Sequence, residues 1–419
     1  MRFLLAFLAC AALASATPAK THLDYRREFT AAYNRQDYPA ALAAVEAALL
    51  LRPDSPRYCY QLAVVEARLG HPAAALAALR RLADLGVSLP IENEEAFAAL
   101  RTTPEFAAVL KSLASHRAPA GRVTPVFDLP GMAGIIEGVA FRPGTGDWFF
   151  GDVHERCVWR RAPDGHFSRF SPPGDAFFGI FQLALDEPRG LLWAATTMLP
   201  ESAGYTAADQ GRAALVALDL ATGKLLRTCP LPADQRDHVL GDLLVTPDGT
   251  VYATDSTAPL LWRLAPGDTA PQPFLESPDF ISLQGLALLP GGKKLLVSDY
   301  ANGLWLVDLA ARSARPVAPP PHATLLGLDG LLLAKNGTVL AVQNGVAPQR
   351  VVRLTLSPDA SRVAAFNVVA AALPDLDDLT LLAATPAGPV VIAQSGWAAF
   401  ADPKNPAPPH TVRVFRLPK

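Results

Sequence analysis

The sequence predicts an α + β, two-domain fold: a small all-helical unit over residues 22–115, then a larger all-β unit over 123–419 that closes into a ring. Three observations predict it. Apolar residues recur with a helical period up to residue 115 and with a period of two after residue 125. The second region repeats one strand–turn–strand unit six times. A chain of 419 residues also exceeds what one ordinary core requires.

The chain opens with MRFLLAFLACAALASA, which reads as an export signal over residues 1–16. Arg2 supplies the positive start, Phe3 to Leu13 a short apolar stretch, and Ala14-Ser15-Ala16 a cleavage site. Lipidation at Cys10 is the alternative reading. The apolar stretch is too short to span a bilayer, and no longer one follows. The expected product is exported, periplasmic or secreted, with no membrane span. With 37 basic and 39 acidic residues, the net charge of −2 gives no sign of a nucleic-acid surface. Past the signal stand Cys59, Cys157 and Cys229; the odd number and the lack of any C-x-x-C favour buried thiols over a zinc site or a full set of disulfides.

In the helical region Ala40, Ala41, Ala44, Val45 and Ala48 form one apolar face, and Pro53 ends the helix. The stretch RYCYQLAVVEARLGHPAAALAALRRLADLG repeats the arrangement: Ala41 and Ala75 lie 34 apart, as do Gln36 and Gly70 at the turns. With Leu62, Ala63, Gly70, Ala75 and Leu79 on its small and apolar positions, this unit resembles the tetratricopeptide repeat family. Two repeats bury little surface alone, so the unit is expected to pack on the second domain or on a protein partner; a plain helical cap is the alternative. SHRAPAGR, residues 115–122, reads as a polar linker.

The β units begin at Glu137, Phe181, Gly241, Leu283, Leu328 and Asp377. Each places an apolar run on either side of a Gly-containing turn (PGTG, EPRG, PDG, PGG, KNG, PAG), which supplies the positive φ of a tight hairpin. A third apolar run follows in most copies and a looser fourth in several. Six such sheets describe a six-bladed β-propeller; the irregular last copy leaves five or seven open. Glu-Gly opening the first copy, G-L-A…P-x-G…V-S-D in the fourth and Asp-Gly opening the fifth resemble the gluconolactonase and senescence-marker-protein (regucalcin-like) propellers over residues 125–400.

The residue that opens each innermost strand faces the mouth of the central channel. Six residues before the turn stand Glu137, Gln284 and Asp329, and in the third copy Gly241 followed by Asp242. Gln182 and Asp377 or Asp378 are the nearest polar residues in the second and sixth copies. Carboxylates gathered in low dielectric repel one another, and a cation relieves that cost. Carboxylate and amide oxygens are the ligand set of Ca²⁺ and, less often, Mg²⁺ or Mn²⁺. A hard divalent ion, calcium first, is therefore expected on Glu137, Asp329 and Gln284. The resemblance implies the same: its family's metal-binding Glu and Asp match Glu137 and Asp329, with the Asp also acting as acid and base. It places Gln284 where the family has a metal-binding Asn, Gly241 where a second Asn stands, and Asp242 on the family's Asn-Asp pair, beside Asp329 in catalysis.

Asp152, Asp255 and Asp299, after the second strands, read as turn caps, and Asn336-Gly337 as a turn. His154, His238 and His322 read as loop residues, and Trp148, Trp159, Trp262 and Trp305 as filling between blades. No G-x-S-x-G elbow suggests a serine nucleophile. Two functions follow: an exported, metal-dependent hydrolase of a lactone or small ester, or a non-catalytic ligand-binding protein or scaffold that meets a partner through its helices.

Overall fold

The computed structural model describes residues 20–172, 177–400 and 409–418, so the export-signal reading lies outside the described residues. Two helical hairpins come first: α1 (His22–Asn34) with α2 (Tyr38–Leu51), and α3 (Pro56–Arg68) with α4 (Pro72–Asp84). A 3₁₀ turn (Glu95–Leu100) and α5 (Pro104–Ser115) follow. Side chains of Thr21, Asp37, Ser55 and Thr103 cap α1, α2, α3 and α5, taking up amides that a helix start leaves unpaired. Buried Ala41, Ala48, Ala63 and Ala75 let the hairpins approach closely. The first inter-helix turn needs the same left-handed residue as the second: Gln36 sits at φ 61°, Gly70 at φ 78°.

The β region forms six antiparallel sheets. Their first strands are Ile136–Arg142, Gly179–Asp186, Leu240–Val245, Leu283–Leu288, Leu328–Leu333 and Leu382–Ala383, defining blades 1 to 6. These strands touch one another in a complete circle, which makes the ring and fixes the count at six. Blades 1 to 4 run outward in chain order. Blade 6 is different: its outermost strand is Thr124–Met132, from the start of the β region, paired with His410–Arg416. The sixth sequence copy looks irregular because it lacks a strand of its own. Asp377 and Asp378 precede its first strand, in a loop.

Part of the expected linker is paired. Ala120–Gly121 adds a fifth strand to the outer edge of blade 5. Gly121 has φ 70°, and a Cβ there would stand 1.9 Å from the Val369 carbonyl oxygen, so only glycine fits.

The helical unit docks on blades 4 and 5. Partly buried Arg52 and buried Asp54 form an ion pair at 2.9 Å. Arg52 Nη1 donates to the Asn302 carbonyl (2.7 Å), and Asp54 Oδ2 accepts from the Leu325 amide (3.0 Å). The Ser88 amide donates to the Ala347 carbonyl (2.7 Å), and Arg350 Nη1 donates to the Gly86 carbonyl (2.6 Å). Val346 packs into the helical core. Two repeats too few to stand alone thus find their third layer in the propeller. Among the described residues no helix is long and apolar enough to cross a membrane.

Candidate site at the channel mouth

The first strand of each of blades 1 to 5 slips register at one equivalent place. The two residues inside the slip are Glu137-Gly138, Phe181-Gln182, Gly241-Asp242, Gln284-Gly285 and Asp329-Gly330. A bulge re-aims side chains and leaves backbone groups without ladder partners. Blades 1, 4 and 5 put the polar residue first and glycine second; blades 2 and 3 put the polar residue second. The glycines allow adjacent blades to meet: a Cβ on Gly138 would lie 2.2 Å from the Phe181 oxygen, and one on Gly285 2.4 Å from the Asp329 oxygen. Hydroxyls of the neighbouring blade take up the bulged carbonyls. Thr254 Oγ1 donates to Gln284 O (2.5 Å) and Ser298 Oγ to Asp329 O (2.6 Å).

Glu137 and Asp329 are brought to the same end of the channel, Glu137 buried and Asp329 partly so. Burial, then the Asp329 charge, holds the Glu137 carboxyl well above its ordinary range; the indole N–H of Trp397, donating to Oε2, opposes this, and Asp378 and Asp242 add to it. Burial pushes Asp329 up to about 6, against the hydrogen bond from Asn344 Nδ2 to Oδ2 (2.7 Å). Asp242 is pushed up to about 7 by burial, against the amides of Leu286 and Leu243 (2.7 Å each) and the Gln182 side chain. The neighbouring charges that bear most on these groups are all carboxylates.

Gln284 leans toward blade 3. Its Oε1 accepts from Ser256 Oγ (3.2 Å) and its Nε2 donates to Ser282 Oγ (3.2 Å). A Cβ on Gly241 would lie 2.8 Å from that Oε1. The length of the Gln284 side chain and the missing side chain at 241 therefore form one accommodation. Asp242 reaches from blade 3 to the Leu286 amide of blade 4 and so ties the two blades. In the sixth position, Asp377 accepts from Gln394 and Asp378 Oδ2 from the Gly396 amide (2.8 Å).

Sequence reasoning missed Trp397 and Asn344. Asn344 stands before a glycine and reads as turn chemistry, yet its Nδ2 serves both Asp329 and the Leu379 carbonyl (2.9 Å) while its buried Oδ1 has no partner. Among the described residues no three His, Cys, Asp or Glu side chains gather as a metal-binding group. A cation here would rest on two carboxylates and amide oxygens. The residues fit that role: among the described residues Glu137 and Asp329 each keep one oxygen free of hydrogen bonds, and no basic side chain is bonded to either.

Asp152, Asp255 and Asp299 do cap turns, and they do more. All three are fully buried. Asp255 accepts from the Thr257 and Ala258 amides of its own turn, from the Val239 amide of the incoming loop, from Trp262 Nε1 (3.1 Å), and lies 2.7 Å from His238 Nδ1. Trp159 Nε1 donates likewise to Asp152 (2.9 Å), so two of the tryptophans that fill between blades also hold these carboxylates. In blade 5 Gln343 replaces the aspartate; its Nε2 donates to Thr324 O and Leu326 O, and its Oε1 accepts from Arg350 Nε (2.8 Å). Cys59, Cys157 and Cys229 are buried free thiols.

The tetratricopeptide repeat family model matches residues 29–91. No curated protein matches the chain in sequence. Among solved structures it is similar to the PQQ-bound aldose sugar dehydrogenase of Streptomyces coelicolor, at 17% identity over 72% of this chain and 100% of that one, with a TM-score of 0.48. It is similar also to a gluconolactonase of Xanthomonas campestris (16%, 72% of this chain and 99% of that, TM-score 0.47). A luciferin-regenerating enzyme gives 14% over 71% of this chain and 95% of that, with a TM-score of 0.48.

Proposed function

We propose that the channel mouth is a hydrolytic site, and that the protein is an exported, divalent-metal-dependent hydrolase of a lactone or small ester, with calcium as the ion. The observation that supports this is the convergence of Glu137, Asp242 and Asp329, all pushed upward by burial, Glu137 and Asp242 also by the Asp329 charge, with no basic side chain bonded to any of them among the described residues. Glu137 and Asp329 would hold the ion, with Gln284 contributing a neutral oxygen. When bound, it would supply Lewis-acid polarisation of the substrate carbonyl.

Asp329 is the general base. Its Oδ2 is steadied by Asn344, which leaves Oδ1 to take a proton from water. Asp242, with both oxygens on backbone amides, works beside it by holding the blade 3 and blade 4 strands in place. Hydrolysis of simple lactones by purified protein, lost on chelation and restored by Ca²⁺, is the test. Asp329→Asn should abolish turnover and keep the fold. A melting temperature indifferent to chelator, together with no hydrolysis, would return the protein to the ligand-binding or scaffold reading, which the docked helical unit also suits.

A further inference from the structure

Between the helical unit and blades 4 and 5 lies a cleft of about 830 Å³. His22, Arg26, Arg57 and Gln61 line it from the helices, and Tyr300 and Asn344 from the propeller. Asn344 joins the cleft to the channel mouth, because its amide is bonded to Asp329. The Asp329 charge also reaches Tyr300, whose hydroxyl is pushed up to about 12, mainly by burial.

Two features of this wall point to a ligand. Buried polar atoms stand without partners: Nε2 of His22, a residue only 6% exposed, Oε1 of Gln61, and Oδ1 of Asn344. Such atoms cost stability unless something pairs with them. The charge is also one-sided. Neither Arg26 nor Arg57 makes an ion pair or side-chain hydrogen bond among the described residues, and no Asp or Glu lines the cleft. The carboxylates lie beyond it, behind Asn344. One end is thus built for negative charge and the other for a reacting carbonyl.

We propose that the cleft binds an anionic group of the substrate, a carboxylate or a phosphate, on Arg26 and Arg57, so that the helical unit selects the substrate that the propeller processes. Resting on the hydrolase reading, this makes the substrate an anionic lactone or ester. Guanidinium forks suit both anions.

The test uses the full chain and three ligands on one polyol: glucitol, gluconate and glucitol 6-phosphate. Binding is read by calorimetry on protein stripped of metal and then dialysed free of chelator, so that no ion bridges ligand to carboxylates and no polycarboxylate competes for the arginines. One or both anions should bind roughly tenfold or more tighter than glucitol, as expected for charge-assisted hydrogen bonds. The preferred anion distinguishes carboxylate from phosphate. Arg26→Gln with Arg57→Gln should bring the anions down to the affinity of glucitol, and the double lysine variant should restore part of it. Arg57 is exposed and unbonded, so its change should not unfold the chain. Equal binding of all three ligands, binding of none, or an unaltered glutamine variant would overturn the assignment. Turnover is not needed for any of these outcomes. Anion binding without hydrolysis would sink the hydrolase reading alone, and hydrolysis of a neutral lactone indifferent to both arginines would sink the cleft alone.

Discussion

Replacing Asp329 by Asn should make the ion-free protein more stable, and more so at higher pH. The carboxyl goes from 3.8 in an exposed chain to about 6 in the folded one. Between those values the folded chain keeps a proton that the unfolded chain has released, so stability falls as pH rises through the window. The full cost, about 3 kcal/mol at ~1.4 kcal/mol per pH unit, is in place above pH 6. Asn has no charge to bury, and its Oδ1 can still accept from Asn344. Integrated over the window, the advantage of the variant should grow by about 1.4 kcal/mol between pH 5 and pH 8. Urea titrations at both pH values in chelator measure it. Added Ca²⁺ should recover most of the deficit in the parent and little in the variant. A variant less stable than the parent at pH 8, or a gap that does not change with pH, would refute the claim that burial of an unbalanced carboxylate dominates this site.

Asp255→Ala should cost about 3 kcal/mol or more, because it strands three amides, that of Ala258 buried, and the buried indole of Trp262; thermal melts report it, and an exposed control such as Asp268→Ala should be near neutral. Gly285→Ala should cost about 1–3 kcal/mol by driving blades 4 and 5 apart, and should lower turnover because the intruding Cβ meets the backbone of Asp329 itself. Asp54→Ala leaves the partly buried Arg52 with only its Asn302 bonds and the Leu325 amide without an acceptor, and should cost about 1–3 kcal/mol; hydrogen exchange should rise at the Leu325 amide while the amides of blade 1 stay protected.

The blades were legible because their turns are local: a Gly or Asn at fixed spacing between two apolar runs admits few other structures. The positions of Glu137, Gln284 and Asp329 were legible for the same reason, since counting back from the turn follows a single strand. The bulge was not, because slipping one register is a negotiation between two strands and leaves no mark beyond a glycine beside a polar residue. The direction of Gln284 depended on what Gly241 lacks, a fact about another blade. Arg52, Asp54 and Arg350 resemble ordinary surface charges in sequence; only docking buries them. Trp397 reaches Glu137 from the far end of the β region, a pairing that no short-range pattern carries.

The clasp of Thr124–Met132 against His410–Arg416 orders events during synthesis. The strand Thr124–Met132 is made before blades 1 to 5, but its partner His410–Arg416 is made only after them. Until then the nascent chain carries two open sheet edges, a hazard for mispairing between neighbouring copies. Losing His410–Arg416 would therefore remove more than one strand: it would leave a horseshoe, with the pore and everything at its mouth undone.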